Sequence, residues 1–256
     1  MKNLMITFSL FLSISSLYAK TLVVSDIDDT IKITDVLSKS KLVYNGLVKK
    51  KAFSGMSELY QSLNSPDTMI FYISGSPTLI EERVERFLHY NKFPQTDNVI
   101  LKKGKITTAE YKLREIRKLI LEIKPDKILL IGDDTQFDPE IYDIISKENG
   151  EKVDAIYIRA IQNRDLPHND SIKNFFSPVE IAGFELLKGN INREQLQLVS
   201  KSFVTQSNAS KVVINHRYCP LKGRDQILEL EDKIVDQVVI NSLELAQKKI
   251  IDTCKE

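Results

Sequence analysis

Residues 21–30 read TLVVSDIDDT, an apolar run that stops abruptly at an acidic cluster. A buried parallel strand has this pattern, because both of its faces are covered until the strand ends. The pattern recurs in three later segments: MIFYIS at 69–74 stops at GSP, KILLIG at 127–132 stops at DDTQFD, and DAIYIRA at 154–160 ends in polar residues. We therefore predict four parallel strands with polar side chains at their carboxyl ends.

Helical patterns lie between these strands, at residues 78–90, 108–123 and 139–147. Alternating strands and helices predict an α/β fold, in which a parallel sheet has helices on both faces in a Rossmann-like three-layer arrangement. Ser76 and Asp138 each precede a proline, and we expect both side chains to cap a helix that begins at that proline. Residues 31–66 contain no long inserted domain, so any cap domain over the carboxyl ends of the strands should be minimal.

The alternation of strands and helices stops beyond about Pro167, where two helical patterns dominate, at residues 178–203 and 225–254. In the second pattern a largely apolar stripe that includes Val238 and Leu245 is suited to packing on the core. The predicted organisation is a signal peptide at 1–19, a catalytic domain at 20–167 and a helical C-terminal extension at 168–256.

The first nineteen residues predict export. One lysine precedes an apolar run from Leu4 to Leu17, and Ala19 offers a small residue at a cleavage point. A membrane anchor or a buried first element is the alternative, but the run is shorter than the ~18–20 residues that a span requires. We expect a periplasmic or secreted protein without a transmembrane segment in the mature chain.

Export changes the meaning of the two cysteines, Cys219 and Cys254. An oxidising compartment lets thiols pair, so these two could form one disulfide. Two unpaired buried thiols are the alternative.

The charge balance excludes a strong overall field. Lysine and arginine total 36 and aspartate and glutamate total 35 in 256 residues, so nothing indicates a nucleic-acid partner or a general attraction to an anionic membrane. Any specificity that depends on charge must be local.

Asp26 and Asp28 place two carboxylates two residues apart at a strand end, where extended backbone points both side chains the same way. One could attack a substrate while the other handles a proton. Further polar residues follow in order: Ser74 ends the second strand, Lys112 lies in a helix, and Asp133 follows a later strand.

The order of these elements resembles the haloacid-dehalogenase-like superfamily. DIDDTIKIT, SGSP, Phe93-Pro94 with the later TAEYK, and GDDTQFDPEIY resemble the catalytic domain of the actin-patch-associated phosphatidate phosphatase family over roughly residues 23–159. One departure is GDDT where the family usually has GDSG, which makes Asp134 an additional carboxylate of open role.

The resemblance implies a mechanism. Asp26 attacks phosphorus and forms an aspartyl-phosphate, while Asp28 protonates the leaving alcohol and then deprotonates water. Mg²⁺ is held by Asp26, Asp133 and the backbone carbonyl of Asp28, since hard oxygen ligands suit that ion.

The resemblance also implies supporting roles. Ser74 and the amides near Gly75 bind phosphoryl oxygens, and Lys112 neutralises charge. Asp138 orients Lys112 or a metal-bound water.

Other residues have two possible roles. Thr30 either contacts substrate or only completes the turn. Arg159 and Arg164, which follow the last core strand, either structure the back of the site or form surface ion pairs.

The expected function is therefore a Mg²⁺-dependent phosphomonoester hydrolase, with phosphatidate or another lipid phosphate suggested by the resemblance alone. A phosphatase for small soluble esters and a non-catalytic phosphate-binding protein are the alternatives. The pair Asp26 and Asp28 argues against the last, because binding alone does not need an acid–base group two positions from a nucleophile.

Overall fold

The structure is a computed structural model that describes residues 20–34, 51–162, 164–213 and 236–255. Six strands form one sheet in the order β3-β2-β1-β4-β5-β6, and all five pairings are parallel. The strands are β1 (Thr21–Ser25), β2 (Thr68–Pro77), β3 (Val99–Lys102), β4 (Lys127–Asp133), β5 (Val153–Arg159) and β6 (Ile172–Phe175). Because the strands are parallel, their carboxyl ends share one edge, where open α/β sheets bind ligands.

Helices cover both faces of the sheet. They are α1 (Met56–Leu63), α2 (Glu81–Tyr90), α3 (Thr108–Ile123), α4 (Asp138–Asn149), α5 (Pro178–Leu187), α6 (Arg193–Val204) and α7 (Gln237–Lys255). Successive residues of β1 point into different cores: Val23 joins one buried cluster, and Leu22 and Val24 join the other. The predicted α/β fold, with a parallel sheet between helical layers, is confirmed.

Two strands were not predicted, and both are four-residue strands at the sheet's edges. In β6 the sequence IKNF has no continuous apolar run, because an edge strand is not buried on all sides. This strand lies beyond residue 167, so the prediction that the alternation of strands and helices stops there is wrong. The sheet extends past the predicted domain boundary.

The helical pattern at 178–203 is two helices rather than one. Gly189 has a φ of 77°, a left-handed conformation that suits glycine and ends α5. Asn192 then accepts a hydrogen bond from the amide of Gln195 and begins α6 as part of a capping box.

The last helix, α7, buries a different stripe from the predicted one. Val239, Leu243, Ala246 and Ile250 are buried, whereas Leu245 is half exposed. Residues 225–235 of the predicted helix lie outside the described ranges.

Several predictions concern parts of the chain that the structure does not describe. The signal peptide at 1–19, residues 35–50 of the minimal cap and Cys219 of the predicted disulfide all fall there. Among the helices in the described ranges, none combines the length and apolar character needed to cross a bilayer.

Candidate active site at the carboxyl edge of the sheet

Asp26 lies at the end of the central strand β1, with its carboxylate buried. Its backbone amide donates to the Ile131 carbonyl at 2.8 Å, which extends the pairing with β4 by one residue. Lys112 of α3 donates from Nζ to Asp26 Oδ1 at 2.6 Å. Asp26 Oδ2 is also buried and has no hydrogen-bond partner in the described part of the chain. A buried carboxylate oxygen without a donor indicates a ligand site, because nothing else compensates for the loss of its hydration.

The same lysine contacts a second carboxylate, that of Asp138. Lys112 Nζ lies 2.5 Å from Asp138 Oδ1, and both side chains are buried. Burial alone would lower the pKa of Lys112, but the carboxylates of Asp138 and Asp26 raise it above its ordinary value. Lys112 therefore stays an ammonium ion that holds both acids in place, as the predicted orienting role of Asp138 requires.

The predicted helix cap at Asp138 is wrong. Asp138 is the first residue of α4, Phe137 precedes the helix, and no side chain caps it. The Asp138 carboxylate points to Lys112 instead.

Three buried carboxylates form a group that could hold a metal ion. Asp26, Asp133 and Asp138 offer oxygen atoms that lie within 4.8 Å of one another. The predicted ligand set contained Asp26 and Asp133 with the backbone carbonyl of Asp28; the structure adds the side chain of Asp138 to the candidates. Carboxylate oxygens are the ligands that hard divalent cations prefer.

The electrostatics of this group also favour a cation. Burial raises the pKa of Asp26 well above its usual value, although Lys112 opposes the shift. Burial, and then the charge of Asp138, raise the pKa of Asp133 to about 7. Carboxylates that resist ionisation in each other's presence are stabilised by a bound positive charge. The unpartnered Asp26 Oδ2 and this crowding show that the residues fit a divalent cation.

Two hydroxyl groups orient Asp133. Thr30 donates to Asp133 Oδ2 at 3.0 Å, and both the amide, at 2.7 Å, and the hydroxyl of Thr135 donate to Oδ1. Thr30 is fully buried and positions a candidate metal ligand, a contact that neither of its two possible roles from the sequence, substrate contact or completion of the turn, included.

Asp28 lies opposite the end of β2 and is only partly buried. Its Oδ2 accepts hydrogen bonds from the hydroxyls of Ser74 at 3.1 Å and Ser76 at 3.2 Å. Its Oδ1 accepts from the Thr34 hydroxyl at 2.7 Å. The predicted pair Asp28 and Ser74 is thus brought together.

Ser76 and Thr34 were missed as residues of the site. The predicted role of Ser76 as a helix cap is wrong, because β2 continues to Pro77. The available signal was their position, since both lie within the quoted segments SGSP and DIDDTIKIT.

Two glycines allow the close approach of the groups around Lys112. A Cβ on Gly75 would lie 2.4 Å from Thr108 Cγ2, so glycine lets the first turn of α3 pack against the end of β2. A Cβ on Gly132 would lie 2.6 Å from Asp138 Oδ2. Gly75, predicted near the phosphate, therefore also positions the helix that carries Lys112.

Asp134 supports a loop rather than the acidic group. Its Oδ1 accepts from the amides of Ile161 and Gln162, both at 2.8 Å. Arg164 donates from Nε to the Asp134 carbonyl at 2.8 Å and pairs with Glu140 at 2.7 Å. The additional carboxylate of GDDT thus fixes the chain that follows β5.

Arg159 lies beneath the site and is almost fully buried. Nε donates to the Thr30 carbonyl at 3.0 Å, and Nη1 donates to the Phe176 carbonyl at 3.0 Å. The guanidinium lies 4.0 Å from the ring centroid of Phe53 and 4.6 Å from that of Phe175. Burial lowers the pKa of Arg159 to about 10. The sequence left two roles open for Arg159, which were to structure the back of the site or to form a surface ion pair. Its burial and its contacts correspond to the first role.

Comparison with known proteins gives two curated relatives. Phosphatidate phosphatase APP1 of Saccharomyces cerevisiae is 26% identical over 165 residues, which is 59% of this chain and 28% of that protein. An uncharacterised protein of Schizosaccharomyces pombe is 23% identical over 152 residues, 55% of this chain and 25% of that protein. The chain thus spans about a quarter of the length of either relative.

Among solved structures, the class C acid phosphatase of Bacillus anthracis with tungstate bound is similar with a TM-score of 0.37 and 18% identity. The match covers 54% of this chain and 65% of that one. At this level the likeness carries no argument about the site.

The family comparison is more informative, because it covers the segment that builds the site. The family model of the catalytic domain of phosphatidate phosphatase APP1 matches residues 21–160, from the first residue of β1 to the end of β5. That segment is more than half of the chain and contains both Asp26 and Lys112. The chain therefore belongs to the family of the phosphatidate phosphatase APP1 catalytic domain, and it is a phosphatase-type enzyme.

Proposed function

We propose that this protein is a Mg²⁺-dependent phosphomonoester hydrolase in which Asp26 carries the phosphoryl group. The observation that supports the proposal most is the state of the Asp26 carboxylate: Lys112 holds Oδ1, and Oδ2 is buried without a donor among the residues that the structure describes. Such a group is fixed in one orientation and leaves one oxygen open to a metal ion and a substrate.

In the first step an Asp26 oxygen attacks phosphorus, and the bond from phosphorus to the ester oxygen breaks. The electron pair goes to the leaving alcohol, which takes a proton from the Asp28 carboxyl group. The hydroxyls of Ser74, Ser76 and Thr34 hold Asp28 beside Asp26 for this transfer.

In the second step Asp28 takes a proton from water, and the resulting hydroxide attacks the phosphorus of the aspartyl-phosphate. Phosphate leaves and the Asp26 carboxylate is restored. Asp28 thus gives and then regains one proton per turnover.

Asp26, Asp133 and Asp138 would hold the Mg²⁺ ion. When bound, the ion offsets the repulsion between these carboxylates and a dianionic phosphate. Lys112, which contacts the carboxylates of Asp26 and Asp138, supplies a further positive charge. The backbone amides near Gly75 are the proposed donors to the phosphoryl oxygens, joined by the Ser74 hydroxyl when it turns from Asp28 to the substrate.

A lipid phosphate is the proposed substrate, supported by membership of the phosphatidate phosphatase family. A location outside the cytoplasm, supported by the signal peptide pattern at 1–19, is part of the same proposal.

The test is turnover by the purified protein with and without Mg²⁺, on phosphatidate in mixed micelles and on soluble sugar and nucleotide monophosphates. Asp26→Asn and Asp28→Asn should each lose most of the activity. Asp126→Asn, an exposed aspartate before β4, is the matched control and should keep it. Turnover retained by Asp26→Asn would contradict the mechanism, and preference for one small ester without action on phosphatidate would contradict the lipid substrate.

A further inference from the structure

Two large apolar side chains are exposed on the edge that holds the candidate active site. Leu79, which follows β2, is 92% exposed, and Phe137, which follows β4, is 58% exposed. β2 and β4 are the two neighbours of β1, which ends at Ser25, directly before Asp26. Adjacent strands lie about 4.8 Å apart, so the carboxyl ends of β2 and β4 are separated by roughly 10 Å, with the end of β1 between them. Exposed apolar residues are ordinary when scattered, but these two flank one site.

The end of β3 and the loop after it hold three lysines beside Leu79. Lys102 at the end of β3 pairs in register with Pro77, so the loop that follows is next to the segment that carries Leu79. Lys103 and Lys105 in this loop are exposed. A Cβ on Gly104, between them, would have nothing within 4 Å, so this residue faces open space.

Acidic residues near this loop reduce its net charge: Glu81 follows Leu79 by two residues, and Glu110 lies in the first turn of α3. Glu82 is paired with Arg86 at 2.8 Å, whereas Glu110 keeps its charge while it accepts hydrogen bonds from Thr107. Within the described ranges no salt bridge involves Lys102, Lys103 or Lys105. The chain is nearly neutral overall, with a net charge of +1, and Lys102, Lys103 and Lys105 form a local cluster of positive charge within it.

We propose that this edge is a docking surface for an anionic lipid bilayer, with Leu79 and Phe137 inserting between headgroups and the lysine loop binding their phosphates. The proposal rests on the proposed function, because it states how a lipid phosphate reaches Asp26. We call the set Leu79, Phe137, Lys103 and Lys105 the docking edge.

A bilayer fits these features better than a soluble ester does. Apolar side chains beside basic ones bind where an acyl region meets an anionic surface. A soluble monophosphate gains nothing from a leucine that lies outside the site. A lipid phosphate, in contrast, lies at the depth where the docking edge would place the catalytic aspartates.

The test is sedimentation of the mature protein with vesicles of phosphatidylcholine, with or without phosphatidylserine. Both lipids are phosphodiesters, so binding does not report recognition of a monoester by the active site. The wild type should bind the vesicles that contain phosphatidylserine. Leu79→Ser together with Phe137→Ser should lower the partition coefficient about tenfold or more. Lys103→Gln and Lys105→Gln should each lower it by roughly fivefold.

Matched controls lie on α3, away from the edge. Leu121 is 74% exposed and Lys118 is exposed, so Leu121→Ser and Lys118→Gln remove the same chemistry elsewhere. Both should bind like the wild type. All variants should hydrolyse a soluble aryl phosphate at the wild-type rate, which shows that the fold and the site are intact.

The proposal is overturned if the wild type does not bind vesicles that contain phosphatidylserine, or if the control and docking-edge variants lose binding equally. Failure of the proposed function gives a different result: the protein then binds the vesicles but releases no phosphate from phosphatidate. Hydrolysis of phosphatidate in detergent micelles without vesicle binding would leave the function standing and remove the docking edge.

Discussion

Gly132→Ala tests how closely the groups around Lys112 must fit. A Cβ at this position would lie 2.6 Å from Asp138 Oδ2 and 2.8 Å from both Asp138 Cβ and Tyr142 Cε2. Ordinary contact begins at 3.4 Å, so the Asp138 carboxylate, whose other oxygen contacts Lys112, must move by about 0.8 Å. Overpacking of this kind costs about 1–3 kcal/mol of unfolding free energy. A misplacement approaching 1 Å beside the reacting groups costs up to ~100-fold in rate, and we expect a loss of about 10- to 100-fold in kcat.

The assay combines urea unfolding with turnover of a soluble aryl phosphate at saturating Mg²⁺. Gly183→Ala is the matched control, because it lies in α5 and its Cβ would meet Val239 at 3.3 Å, far from the edge that carries the site. Its kcat should stay within about twofold of the wild type, since no group near Asp26 has to move. A Gly132→Ala enzyme with wild-type kcat would refute the inferred role of the contact between Lys112 and Asp138.

Three further predictions concern stability. Lys112→Met should lower the free energy of unfolding of the metal-free protein by about 3–5 kcal/mol, because it leaves two buried carboxylates without their cation. The control Lys118→Met, on the exposed face of α3, should change that free energy little. Equal effects of the two substitutions in urea unfolding would contradict the prediction. Arg159→Met should lower the free energy of unfolding by about 1.5–3 kcal/mol, because two hydrogen bonds to backbone carbonyls are lost. An unchanged urea midpoint would contradict the supporting role of Arg159. Cys219 and Cys254 should be joined in the exported protein and contribute about 3–4 kcal/mol; two free thiols in the mass spectrum of non-reduced peptides would exclude the bond.

The sequence was sufficient to predict the centre of the fold, because buried parallel strands have a strong local signal. The predicted strand at 21–25 and the predicted helix at 108–123 match β1 and α3 residue for residue. The edge strand β6 was missed, since its sequence IKNF carries neither a continuous apolar run nor a clear alternation.

The site could be predicted in part. Pairing of Asp28 with Ser74 follows from two neighbouring strand ends, which sequence order and a parallel sheet predict. The contact of Lys112 with both Asp26 and Asp138 depends on how α3 packs, and that packing depends on the approach of Thr108 to Gly75. No local pattern reports such a contact between distant segments. Ser76 and Asp138 were assigned to helix caps for the same reason: local capping preferences favoured one role, and tertiary contacts gave these side chains another.

The central claim is that Asp26 carries the phosphoryl group during turnover. The most direct measurement is mass spectrometry of the peptide that contains Asp26, after acid quench of Asp28→Asn with an aryl phosphate and Mg²⁺. An aryl leaving group does not need a proton, so the first step should proceed while loss of the base at Asp28 slows the second. We predict that the peptide gains the mass of one phosphoryl group on Asp26 and that Asp26→Asn shows none. Phosphate release by Asp28→Asn in the absence of any phosphorylated peptide, or a phosphoryl group on another residue, would contradict the mechanism.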